Sequence, residues 1–146
     1  MPEKKTIKRA KKAKREGKAS ATQAGEFVRE EIEHVRKGKH GARSPEQAIA
    51  IGLSKARRAG VKLAPPKKGT TSEATRKRAK HDYEQGRTRK TAKPSAKRSK
   101  STHKALKREG RTAASSKALS THAKRTGRKR SSATSGASPR RRTRAR

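Results

Sequence analysis

Forty-six Lys and Arg residues against eleven Asp and Glu give this 146-residue chain a formal charge of +35, and that excess limits what it can fold into. A chain this positive repels itself and needs a dense polyanion to become compact; in a cell that usually means nucleic acid. The charge is uneven, and residues 87–146 carry twenty-two basic groups against the single acid Glu109. Large apolar side chains are few: Ile7, Phe27, Val28, Ile32, Val35, Ile49, Ile51, Leu53, Val61, Leu63, Leu106 and Leu119, with Met1 and Tyr83. Burying one such side chain yields roughly 1.5–3 kcal/mol, while ordering a residue costs about 1–2 kcal/mol of backbone entropy. Most of them fall between residues 27 and 63, enough for a short helical unit but not for a globule of the whole length. The remainder has the composition of disorder.

Helix signals cluster where the apolar residues do. Ala24, Val28, Ile32 and Val35 recur at helical spacing, with Phe27 at the edge, and predict a first helix over 22–37. Ser20 to Gln23 fits a capping box, with Thr22 a competing cap, and Gly38 suits the helix end. Ser44, Pro45 and Gln47 open the best-marked helix, 45–59, and Gly60 with Val61 closes it in a Schellman arrangement over Ala56. A connector as short as 39–43 predicts an antiparallel pair. Ala48, Gly52 and Ala56 form a strip of small residues beside the apolar face, while Ile51 falls on the opposite side with Arg58; either feature would admit a second copy of the chain as a homodimer. The stretch 48–54 superficially matches a helix-turn-helix core. However, 55–60 is too short for a recognition helix and sets Arg58 where that fold wants an apolar residue, so one continuous helix is expected.

The fold class is therefore mainly α: a helical hairpin over about 22–63 and a weak third helix, flanked by disordered basic arms. Residues 1–19 are a basic arm, a fluctuating helix stopped by Gly17. Pro65 and Pro66 open a linker over 64–86 that contains the weak helix, 73–85, started by a capping-box match at Thr70 to Glu73 and bearing Ala74, Ala79 and Tyr83. Residues 87–146 form a Lys/Arg/Ser/Thr/Ala-rich tail, with a short helix near Ser116–Lys124. Two echoes occur in the chain: Ser101-Thr-His against Ser120-Thr-His within the tail, and Lys-Arg-Glu-Gly at 14–17 of the N-terminal arm and at 107–110 of the tail.

Function classes narrow quickly. Cysteine is absent, which removes disulfides, thiolate metal sites and thiol nucleophiles. No apolar run reaches membrane-spanning length, and the basic N-terminus has no apolar core of a secretory signal. His34, His40, His81, His103 and His122 show no metal-ligand spacing, and nothing suggests an enzyme or a cofactor. Phe27 and Tyr83 are the two aromatic residues, too few for base-stacking platforms, so duplex or structured-RNA backbones are the better partners. Candidate phosphate-binding residues are Lys11, Lys12, Lys14, Arg15, Arg57, Arg58, Lys107, Arg108, Arg128, Lys129, Arg130, Arg140, Arg141 and Arg142. Ser138-Pro-Arg-Arg141 resembles the minor-groove turn of linker histones. Glu26, Glu30 and Glu33 form an acidic face that would either sit in solvent, supported by Lys37, or fold back on a tail and weaken DNA binding.

Residues 23–36, then 38–44, then 47–60, continuing through Pro65-Pro66-Lys-Lys-Gly69 and loosely to 105–111, resemble a largely uncharacterised family of small, highly basic bacterial proteins, some labelled DNA-binding or plasmid-stabilisation protein. The resemblance covers about half the chain and implies bacterial origin and DNA association, with no catalytic residues. The expectation is a nonspecific duplex-DNA-binding protein of the cytoplasm and nucleoid, linker-histone-like, acting by phosphate neutralisation. The alternatives are an RNA- or ribosome-associated protein, or a protein-interaction module built on 41–60 whose tails only localise it.

Overall fold

A computed structural model describes residues 2–88 and 95–135. Six α-helices and a short 3-10 turn (η1) follow one another: α1 Lys4–Arg15, α2 Ser20–Arg36, α3 Pro45–Arg58, α4 Glu73–Thr88, α5 Ala96–Arg108, η1 Thr112–Ala114 and α6 Ser116–Ser135. The molecule is thus mainly helical, but with more helix than a hairpin and one weak addition.

The pairing of α2 with α3 is the centre of the structure. They run antiparallel, with Ala56 beside Ala24 and Phe27 at one end and Ala48 beside Val35 at the other. Midway, a Cβ added at Gly52 would stand 2.6 Å from the Val28 Cα. The small-residue strip therefore does admit a helix, but α2 of the same chain, which removes it as a dimer surface. Close approach of backbones lets alanines exclude water where few large side chains exist.

α1, α2 and α3 end alike. Gly17, Gly38 and Gly60 have φ of 70°, 71° and 87°, in the left-handed region that glycine enters without a Cβ clash. The next amides, of Lys18, Lys39 and Val61, donate back to the carbonyls of Ala13, His34 and Ala56, the Schellman pattern. At the other end of α3, Ser44 Oγ accepts from the Gln47 amide at 3.3 Å. Gln47 reaches back one residue further than a capping box, accepting from the Arg43 amide at 2.6 Å. The capping box expected at Ser20 does not form: Ser20 is already helical and Ala19 holds the cap position. Before α4 the cap is Ser72, whose hydroxyl accepts from Thr75.

Two core clusters flank the helix pair. Ala10 of α1 joins Ala24, Phe27, Ala56 and Val61, bordered by Ile7, Leu53 and Leu63. Ala113 and Ala114 of η1 join Val35, Ala42 and Ala48, bordered by Ile32. Both arms are therefore anchored. The N-terminal arm is a helix with Thr6, Ala10 and Ala13 buried, and the tail carries α5 and η1 as well as a longer α6 than the short helix expected near 116–124. Lys, Arg and Ala are among the best helix formers, and like-charge pairs on an exposed helix cost only a few tenths of a kcal/mol each. Propensity wins locally, and a few buried alanines fix the position. The repeated Lys-Arg-Glu-Gly ends helices in two different ways: left-handed Gly17 after α1, but an extended Glu109 after α5.

Candidate nucleic-acid interface

The acidic residues decide which cations face solvent. All eleven carboxylates pair with basic groups of the same chain, and most do so at a junction between elements. Glu26 meets Arg9 at 3.8 Å across α1 and α2. Glu30 accepts from the Glu3 amide at 3.1 Å. Glu3 in turn lies 2.9 Å from both His34 Nε2 and Lys39 Nζ. The His34 hydrogen bond, then that from Lys39, holds the Glu3 carboxyl down at about 2. The acidic face of α2 thus folds on the N-terminal arm, and Glu33 pairs with Arg29 and Lys37 on its own helix.

Glu31 is the deepest charge. Its carboxylate is 1 % exposed and lies 2.6 Å from His40 Nε2 and 2.5 Å from Lys55 Nζ. His40 Nδ1 meets the Gly41 carbonyl at 3.0 Å. Both ring nitrogens therefore face acceptors, which ties the 38–43 loop to Glu31. Elsewhere, Asp82 accepts from Ser54 Oγ at 2.6 Å and Arg58 Nε at 2.7 Å, tying α4 to α3. Glu46 holds His122 and Arg125, tying α3 to α6. Glu109 meets Arg43 at 3.2 Å. Glu16, Glu73 and Glu84 pair locally with Lys18, Arg76 and Lys80. The bond from Lys18 lowers the Glu16 carboxyl and raises Lys18 itself, and that from Arg76 lowers Glu73.

Sequence spacing did not reveal that Glu31, His34 and His40, and likewise Glu3, Glu30 and His34, bring ligand-type atoms within 4.8 Å of one another. These donors already hold one another, and the ammonium groups of Lys55 and Lys39 stand where a metal cation would compete. The cluster works as an ion-pair network binding α1, α2, α3 and the 38–43 loop.

What remains outward is basic. Lys11, Lys12, Lys14 and Arg15 are exposed on α1, outside its buried stripe, with Lys12 also 3.9 Å from Glu16. Lys107 and Arg108 are exposed at the end of α5, a helix with no acidic residue, no buried residue and no packing on another element among the described residues. Arg128 and Lys129 are exposed on α6, and the Arg130 backbone belongs to the same helix. Arg140, Arg141, Arg142 and the Ser138–Arg141 turn lie outside the described residues.

Arg57 and Arg58 change roles. Arg57 is 7 % exposed, and its guanidinium donates to the carbonyls of Leu63 and Ala64 at 3.2 and 3.4 Å. Burial pushes its pKa down. It anchors the 61–64 segment and has no access to phosphate. Arg58 remains exposed but is held by Asp82.

One open groove of about 490 Å³ lies where the first turns of α3 and α6 meet, lined by Arg43, Ser44, Lys117, His122 and Arg125 among others. Helix N-termini and these cations favour anions there, and Glu46 offsets part of that field.

No family model, curated protein or solved structure matches the chain.

Proposed function

We propose that this protein binds duplex DNA without strong sequence preference, as a nucleoid-associated, linker-histone-like component acting by phosphate neutralisation. One observation carries the reading. Every carboxylate is engaged within the chain, while the acid-free helices α1, α5 and α6 turn lysines and arginines outward. Such surfaces displace condensed counterions from DNA. They lack the aromatic side chains that read single strands, since Phe27 is buried and Tyr83 lies under Arg87 at 6.0 Å.

The test is a salt titration of binding to duplexes of unrelated sequence, with rRNA as competitor. A log–log slope near −0.9 per phosphate contacted, equal across sequences, is the expected result. Salt-resistant binding, or strong preference for rRNA at one salt concentration, would overturn it. Arg57→Gln should leave the slope unchanged, because that side chain faces the protein interior.

A further inference from the structure

We infer that a single chain holds two separate duplex DNA segments at once, one on α1 and one on the α5–α6 side. This rests on the duplex-binding reading above and adds its geometry. On α2, the polar side chains that receive α1 and its cap residue Glu3 are Glu26, Glu30 and His34, spaced four apart along one stripe, with Phe27 and Ala24 beside it packing on Ala10. The side chains that receive η1 are Val35, Ile32 and Arg36; Val35 is buried in one cluster with Ala113 and Ala114, Ile32 borders that cluster, and Arg36 Nε donates to the Ala114 carbonyl at 2.8 Å. Ile32 follows Glu30 by two residues, and Arg36 follows His34 by two. Two residues turn an α-helix by about 200°. The two basic units therefore sit on opposite sides of α2.

Neighbouring helix axes lie about 8–10 Å apart, which sets α1 and η1 roughly 16–20 Å apart across α2, with their outer faces turned away from each other. On α1, Thr6, Ala10 and Ala13 are buried, so Lys8 and Lys11 point away from the body. On the other side, α5 has no buried residue and leads through the 109–111 turn into η1 and α6. That turn is seated by the Gly41 amide on the Leu106 carbonyl at 2.8 Å and the Ala42 amide on the Gly110 carbonyl at 3.0 Å. A Cβ added at Gly41 would fall 1.9 Å from the Glu109 carbonyl oxygen, so this seat is close. Among the described residues α1 packs on neither α5 nor α6. Duplex DNA has a persistence length of about 150 base pairs, so a straight duplex lying on α1 does not wrap round to the far face. The second face is free for a second duplex.

The experiment measures two quantities on the full-length protein: binding, by anisotropy of a labelled duplex, and bridging, by recovery of that duplex on beads carrying an unlabelled one. One variant replaces Lys4, Lys5, Lys8, Lys11 and Lys14 by Gln. The other replaces Lys97, Lys100, Lys104, Lys107, Lys117 and Lys124 by Glu. Circular dichroism verifies that helix content is kept. The wild type should bind and bridge. Each variant should still bind, with a shallower salt slope and bridging reduced at least tenfold, and an equal mixture of the two should not restore it. Restoration by mixing would show that bridging comes from self-association, and that overturns the inference. So would full bridging by either variant, complete loss of binding by either one (a single continuous site), or wild-type binding without bridging. A wild type that does not bind duplex DNA would instead defeat the proposed function.

Discussion

Replacing Gly52 by alanine tests the close α2–α3 contact on which the structure depends. The added Cβ would lie 2.6 Å from the Val28 Cα, 2.9 Å from its nitrogen and 3.0 Å from Cγ2. Ordinary carbon contacts lie near 3.5–4.0 Å, so the helices must part by about 1 Å, and two of the three atoms are backbone that no rotamer change can move. Overpacking of this kind costs about 1–3 kcal/mol, and a backbone clash belongs at the upper end. Alanine's better helix propensity returns about 1 kcal/mol. The net expectation is a loss of about 1–2 kcal/mol. At about 4 °C per kcal/mol for a chain near this size, the melting temperature should fall by roughly 4–8 °C. Gly25→Ala is the internal control, because its Cβ meets nothing within 4 Å; there propensity acts alone and should raise the melting temperature by about 4 °C. Thermal unfolding followed by circular dichroism at 222 nm reads both. If Gly52→Ala melts at or above the wild type, α2 does not occupy the strip and the packing argument fails.

Glu31→Ala leaves the partly buried Lys55 ammonium and the buried His40 ring without their shared acceptor and should cost about 3 kcal/mol in urea unfolding; a change under 1 kcal/mol would show that the network does not hold the core. Asp82→Asn weakens the bonds from Ser54 and Arg58, so hydrogen exchange should accelerate across 73–88 while α2 and α3 keep their protection; uniform acceleration would contradict separate docking of α4. The Glu3 carboxyl sits at about 2 when folded against a usual value near 4.3. Because the folded value is depressed, its stabilisation of the α1–α2 contact is present above about 4.3 and lost as pH falls from there toward 2. NMR signals of α1 should titrate in that window in the wild type and not in Glu3→Gln; identical titrations would remove Glu3 from the contact.

The helix class, the three left-handed glycine stops and the Ser44 cap were legible because each is settled within about one helical turn. The stop at Gly60 needs only the Arg57 carbonyl for its own amide and the Ala56 carbonyl for that of Val61. Continuity of α3 through the helix-turn-helix look-alike was readable for the same reason: nothing in 48–58 breaks the helix. Helix in the N-terminal arm was legible from its lysines, arginines and alanines, but its docking was not, because composition weighs repulsion everywhere at once, whereas α1 needs only three small side chains and a few ion pairs to dock. Arg57 was read as a phosphate ligand since an Arg-Arg pair on a basic chain normally faces solvent, and only the return of the 61–64 segment buries it.

By itself the sequence determined a strongly cationic, mainly helical protein, because charge balance, propensity and caps are local or additive properties. Tertiary structure decided where each carboxylate goes. Glu46 finds His122 seventy-six positions away and Arg36 finds the Ala114 carbonyl seventy-eight away, pairings that no local periodicity encodes. With so few acids among so many bases, those long-range pairs choose which cations are held inside and which remain on the two outer faces.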